Sequence, residues 1–190
     1  DVNFSSTNFF IDEAFIDFIK NGEDLSFKHF ESDRVIIIRA FTKFFGIPGL
    51  RLGYSICYNK KWVSTANNLK EPWTINTFAA SCGEFLLNSN KYIEKTYKTL
   101  EKEKNRMLNG LTKIKNIRVF KSESNFLLIK LMEISGTELY NKLLEKGFLI
   151  RRCENFNFLD DSYVRIAIKD KKSNKNFIKA INKITKNRNV

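Results

Sequence analysis

The chain has 190 residues, is 43% hydrophobic and carries a formal net charge of +12. That is enough for one large domain or two small ones around a packed core, and a basic balance suits nucleic acid or an anionic ligand. The lysines, however, are spread along Lys95 to Lys115 and Lys169 to Lys186, interleaved with Glu and Asn, which is the pattern of a solvated face rather than a nucleic-acid stripe. No run of about 18 apolar residues marks a membrane span, and no charged-then-apolar signal segment opens the chain. Cys57, Cys82 and Cys153 are odd in number and share no close spacing. They fit a reducing cytoplasm and argue against a disulfide framework or a zinc site. The single histidine, His29, has no cluster of metal-ligating residues around it and reads as structural or surface.

Taken in order, residues 1 to 8 are polar and read as loop. Phe9-Phe10-Ile11 is a short apolar run, expected to be a buried parallel strand. It delivers Asp12 to the strand's carboxyl end, where open α/β sheets bind ligands; a helix cap or loop carboxylate is the plainer alternative. A charged connection over 19–33 leads to Val35-Ile36-Ile37-Ile38, a second buried strand. The loop after it gathers Thr42, Lys43, Gly46, Pro48, Gly49 and Arg51. A lysine at the end of a buried strand loses solvation, which disfavours its charged form, and a neutral amine can form a Schiff base with a carbonyl. Arg51 can grip a phosphate with its forked donors. By themselves, a lysine and an arginine on a loop are ordinary surface charges.

Gly53 to Tyr58 reads as a further strand of the same sheet, and Lys60 to Lys70 as a short helix broken at Glu71-Pro72-Trp73. From Asn76 a helical period places Phe78, Cys82, Phe85 and Leu86 on one face. After a break at Asn88-Ser89-Asn90, a longer helix carries Ile93, Tyr97, Leu100, Met107, Leu108, Leu111 and Ile114. Both stripes are expected to be core. The remainder reads as a small α+β unit. Its strands are expected at 117–120, 125–131, 148–152 and 163–169. Its helices run from Gly136 to Lys146, closed by Gly147, and from Asn174 to Ile184. Strand alternation sends Arg165 away from Val164 and Ile166, and puts Arg151 and Arg152 on opposite faces.

Four stretches make the pattern specific: Asp-Glu-Ala-Phe-Ile-Asp-Phe (12–18), Thr-Lys-Phe-Phe-Gly-Ile-Pro-Gly-Leu-Arg-Leu-Gly-Tyr (42–54), Pro-Trp-Thr-Ile-Asn (72–76), and Leu-Ile-Arg-Arg-Cys-Glu-Asn-Phe (149–156) with Tyr-Val-Arg-Ile-Ala-Ile (163–168). The second resembles the Schiff-base lysine motif of fold-type I enzymes that use pyridoxal 5'-phosphate (PLP). Together they resemble the C-terminal half of the histidinol-phosphate aminotransferase group. The first and last favour the threonine-phosphate decarboxylases of cobalamin synthesis.

The resemblance implies an α/β fold: part of a large PLP-binding domain with a mostly parallel sheet over 1–75, connecting helices over 76–115, and a small α+β domain over 116–190. It implies that Lys43 forms the Schiff base and moves protons at Cα, that Asp12 pairs with the pyridinium, and that Thr42 and Arg51 hold the cofactor phosphate. It implies that Arg165 binds the substrate carboxylate and Arg151 its distal end. The expected substrate is a small phosphorylated amino acid, threonine O-3-phosphate, with histidinol-phosphate aminotransfer as the alternative. A cytoplasmic homodimer without nucleic-acid or membrane partners is implied. Three departures stand out. Phe15 replaces a tyrosine that aminotransferases bond to the cofactor 3'-oxygen. Ala40 replaces a phosphate-binding Ser or Thr. The chain has about half the family's length and reads as a truncated fragment, expected to be inactive alone.

Overall fold

The computed structural model of the chain describes residues 7–186, so most of the loop expected over 1–8 lies outside the described residues. The chain divides into two compact units, with the division between Ile93 and Glu94.

The first unit holds a three-stranded sheet in the order β1 (Phe9–Asp12), β2 (Val35–Ala40), β3 (Gly53–Cys57). β1 runs parallel to β2, and β3 runs antiparallel to it, so the sheet is mixed. The β-branched run from Val35 to Ile38 suits a pleated, half-covered surface. Alternation then sorts its residues: Val35, Ile37 and Arg39 are buried, whereas Ile36 and Ala40 are half-buried and Ile38 is exposed. β1 is parallel as expected but is not buried. A parallel strand is enclosed only where both faces are covered, and among the described residues Phe10 stays 69% exposed.

Short helical elements surround this sheet: α1 (Gly22–Leu25), α2 (Phe41–Phe44), α3 (Lys60–Leu69) and α4 (Thr77–Leu87). The side chain of Asn59 caps α3 by accepting from the amides of Lys61 and Trp62, and that of Asn76 caps α4 by accepting from the Ala79 amide at 2.8 Å. The face of α4 expected to be core is so only in part. Phe78 is 79% and Phe85 72% exposed, while Ala79 is the residue buried, in a cluster with Phe41 and Leu52. The helical period holds but sorts the face unevenly: Leu86 packs against that cluster and Cys82 is half-buried, while Phe78 and Phe85 stay in solvent.

α5 (Asn90–Leu111) spans the division, and from Glu94 onward it belongs to the second unit. There β4 (Ile117–Val119), β5 (Phe126–Leu131), β6 (Arg151–Arg152) and β7 (Tyr163–Ala167) form a sheet in the order β4-β5-β7-β6, every pair antiparallel. With α6 (Gly136–Leu144) and α7 (Lys171–Lys186) they make the expected α+β unit. Leu127, Ile129, Val164 and Ile166 point from one face of the sheet into a core with Met107, Leu111, Leu139 and Ile181. β6 is shorter than the expected 148–152. Gly147, at φ +76°, ends the helical segment, and the Phe148 amide still donates to the Leu143 carbonyl at 2.9 Å, so the chain reaches the ladder only at Arg151. One buried charge, Glu103 on α5, accepts from Asn174 and Arg106, each at 3.0 Å.

Candidate functional site

Because β1 and β2 are parallel, their carboxyl ends lie on the same side of the sheet. Asp12 ends β1 and stands beside Ile38 in register; α2, with Lys43, begins directly after β2. Asp12 is exposed, and its Oδ1 accepts from the Ala14 amide at 2.9 Å. It is thus both a local loop acceptor and an accessible carboxylate.

In the single turn of α2, Phe41, Thr42 and Phe44 face inward and Lys43 faces out. The desolvation expected at the end of a buried strand is therefore absent here, because the turn directs this side chain to solvent. Its ammonium makes no hydrogen bond or ion pair among the described residues. Ala40, before the turn, offers no side-chain cap. Gly46 adopts φ +66°, which an L side chain rarely does. Arg51 follows a 3₁₀ turn over Pro48–Leu50 and sits at φ +55°, with Nη1 donating to the Pro48 carbonyl at 3.1 Å. A non-glycine residue held there stores of order 1 kcal/mol or more, and such residues cluster at ligand sites.

Phe15 stacks on Phe18 with ring centroids 5.9 Å apart, and Phe18 meets Phe44 edge-on at 5.3 Å. An aromatic chain therefore joins the stretch after Asp12 to the turn that carries Lys43.

Sequence reasoning missed the buried ionic cluster behind this edge. Arg39 and Glu13 are 3% and 6% exposed. Arg39 Nε and Nη2 reach Glu13 Oε2 at 3.0 and 2.9 Å, and Nη2 also donates to Ser26 Oγ at 2.7 Å. Ser26 Oγ donates to Glu13 Oε2 at 2.8 Å, and the Phe27 amide donates to Glu13 Oε1 at 2.8 Å. Arg39 Nη1 adds a short hydrogen bond to Glu23. Burial alone would lift the Glu23 carboxyl, but hydrogen bonds from Arg39 and Lys28 hold it below the usual range. Nearby Asp17 is pushed up, chiefly by burial. The signal was present in the alternation: Arg39 shares the inward face of Val35 and Ile37.

In the second unit, Arg151 on β6 stands directly opposite Arg165 on β7. Arg165 lies over the Phe126 ring at 4.7 Å. Arg151 lies over Phe156 at 5.6 Å and donates to Asn155 Oδ1 at 2.8 Å. Neither has a carboxylate partner among the described residues. Like charges directly opposite one another repel. Arg152 points the other way, to Thr137 Oγ1 at 2.8 Å and Glu154 at 3.0 Å, so it is committed to structure. The Cys153 thiol between these strands is pushed up by burial, against the pull of Arg165 and Arg151.

The model of the "Aminotransferase class I and II" family matches residues 5–181. A protein of Caldanaerobacter subterraneus subsp. tengcongensis, provisionally named a threonine-phosphate decarboxylase, is 39% identical over 178 residues, 90% of this chain and 47% of that protein. A histidinol-phosphate aminotransferase of Methanocaldococcus jannaschii is 33% identical over 174 residues, 92% of this chain and 46% of that protein. The crystal structure of the histidinol-phosphate aminotransferase from Clostridium acetobutylicum superimposes with a TM-score of 0.90 at 40% identity, covering 96% of this chain and 55% of that one. The chain thus spans about half the length of the curated relatives it matches. Enzymes of this family depend on pyridoxal phosphate. With the family pattern running through both units, this chain belongs to the class I and II aminotransferase family.

Proposed function

We propose that the chain is the C-terminal half of a pyridoxal-phosphate-dependent threonine-phosphate decarboxylase, a cytoplasmic homodimer, with the large domain's remnant over 1–75, connecting helices over 76–115 and the small domain over 116–190. The division at Ile93 falls inside the connecting segment.

The donor set fits the cofactor. Arg51 and the Thr42 hydroxyl suit a phosphate monoester, the accessible Asp12 carboxylate suits a pyridinium, and the uncommitted Lys43 amine suits a carbonyl. When bound, pyridoxal phosphate would supply an electron sink for charge left on the substrate Cα. Asp12 would hold the proton on the ring nitrogen. Thr42 and Arg51 would hold the phosphate. Lys43 would hold the cofactor carbonyl carbon and deliver a proton to Cα. Arg165 would hold the substrate carboxylate and Arg151 its phosphate.

The observation that carries the decarboxylase reading is the register of Arg151 against Arg165. Threonine phosphate is short and carries two anionic groups close together, so neighbouring forked cations match it. Orientation of the scissile Cα bond by such clamps is worth several kcal/mol, of order a hundredfold or more in rate. Phe15 supports the same reading, because a phenyl ring cannot donate the hydrogen bond that aminotransferases direct at the cofactor oxygen. The similarity to histidinol-phosphate aminotransferases favours aminotransfer as the second reading.

The test incubates the full-length protein with pyridoxal phosphate and threonine phosphate and, separately, with histidinol phosphate plus 2-oxoglutarate. Carbon dioxide from the first and no glutamate from the second is the expected outcome. Glutamate without carbon dioxide would establish the aminotransferase instead. Borohydride reduction of the loaded protein should place the cofactor on Lys43; a label on another lysine removes the residue assignment.

A further inference from the structure

Arg39 and Glu13 lie at the same end of the sheet as Asp12 and Lys43 but behind it. Asp12 and Glu13 are adjacent on β1 and the residue that follows it, so their side chains leave on opposite sides. Asp12 is on the exposed side with Ile38, and Glu13 is on the buried side with Arg39.

The apolar residues set the β1–β2 register weakly. Phe9-Phe10-Ile11 and Val35 to Ile38 are continuous apolar runs, and a slip along them still pairs apolar with apolar. The ion pair tolerates no slip. A one-residue shift moves each strand residue by about 3.3 Å and to the other face, which would strand a charge among Val35 and Ile37. The pair is also over-determined: Glu13 accepts from Arg39, Ser26 and the Phe27 amide, and its own amide donates to the Ile38 carbonyl at 2.8 Å. On the neighbouring strand, a Cβ at Gly53 would stand 2.8 Å from the Arg39 carbonyl oxygen, so β3 closes tightly on the same residue. A buried ion pair is a weak source of net stability compared with apolar residues of the same volume. Specifying one arrangement is the better account of this one.

We infer that Arg39 is a positioning residue: its buried pairing with Glu13 sets the level at which Asp12 stands relative to the turn carrying Lys43. This rests on the site proposed above. A displacement of about 1 Å is enough to cost of order a hundredfold in a positioned reaction, and the register step is larger.

The test compares the full-length parent protein with its Arg39→Lys variant, which keeps the charge and loses the fork, and with Glu13→Gln, which keeps the shape and loses the charge. Amide hydrogen exchange is read at Glu13 and Ala14 and, as reference, at Ile37, without cofactor. Pyridoxal phosphate in saturating excess is then trapped with borohydride, and the share of label on Lys43 against all other lysines is measured. Expected in both variants are exchange about tenfold faster at Glu13 and Ala14, with a much smaller change at Ile37, and a fall of several-fold in the Lys43 share. The inference is overturned if Glu13 exchanges as in the parent, if all first-unit amides speed up alike, or if the Lys43 share is kept. A full-length parent protein with no preference for Lys43 would refute the proposed site instead, and the exchange pattern alone would then decide whether the pair sets the register.

Discussion

In the second unit the inward face of the sheet is apolar on both central strands: Leu127, Ile129 and Leu131 on β5, Val164 and Ile166 on β7. In the first unit the inward row of β2 begins the same way, with Val35 and Ile37, and ends on a charge, Arg39. The second unit gathers one contiguous apolar core, although Leu149 and Phe158 stay exposed at its surface. The first leaves Phe10, Trp73, Phe78 and Phe85 exposed and spends its most buried polar atoms on one ionic cluster. Apolar burial is non-directional and forgives small displacements. A buried ion pair with filled hydrogen bonds does not. The unit that carries the proposed cofactor residues is the one organised by the directional interaction.

The comparison breaks most visibly at Arg39. Arg39→Met leaves Glu13 buried without its partner, at a cost of about 3–5 kcal/mol. Hydrogen exchange in a urea series should show that loss at first-unit amides such as Ile37 and leave Ile129 protected. Equal losses in both units would show that they unfold together. The converse variant is Leu139→Ala, at a fully buried position in the second core. It should cost about 2–5 kcal/mol, read at Ile129 and Val164 with the first unit unchanged.

A smaller effect tests the second unit's own buried charge. Burial works to raise the Glu103 carboxyl, but the hydrogen bonds from Asn174 and Arg106 hold it below its ordinary value of 4.5. A depressed carboxylate contributes stability that is present above the unfolded value and lost as pH falls through the folded one. Second-unit stability should therefore decline from about pH 4.5 downward in the parent and stay flatter over that window in Glu103→Gln, as followed by acid titration of second-unit amide protection. Smallest is the cap of α6: Ser135 Oγ accepts from the Glu138 amide at 3.0 Å. Ser135→Ala should cost about 1 kcal/mol, read as a small drop in protection at Leu139 and Tyr140.

The order of elements, the parallel pairing of β1 with β2 and the outward face of Arg165 were legible because periodicity and turn residues are local signals. Burial was less so. Phe78 and Phe85 have core spacing, yet what covers a helix face is a tertiary fact that helical period does not contain. Lys43 shows the same limit: an apolar strand before it suggested desolvation, and one outward position in a single turn decided otherwise. Arg39 and Glu13 lie 26 residues apart, and only the pairing of two strands reveals that their inward positions meet. The opposition of Arg151 and Arg165 needed the register of β6, a strand of two paired residues whose length was overestimated.

That opposition has a thermodynamic consequence for handling the protein. Two arginines that stand opposite each other in register, with no carboxylate partner among the described residues, repel each other more in the folded unit than in the unfolded chain. Any anion that settles between them binds only the folded form, and its contribution grows as RT ln(1 + [anion]/Kd). The second unit is thus a thermometer for anions. Its melting temperature should climb with inorganic phosphate at constant ionic strength, and a phosphate buffer will flatter its stability relative to one whose anions bind weakly.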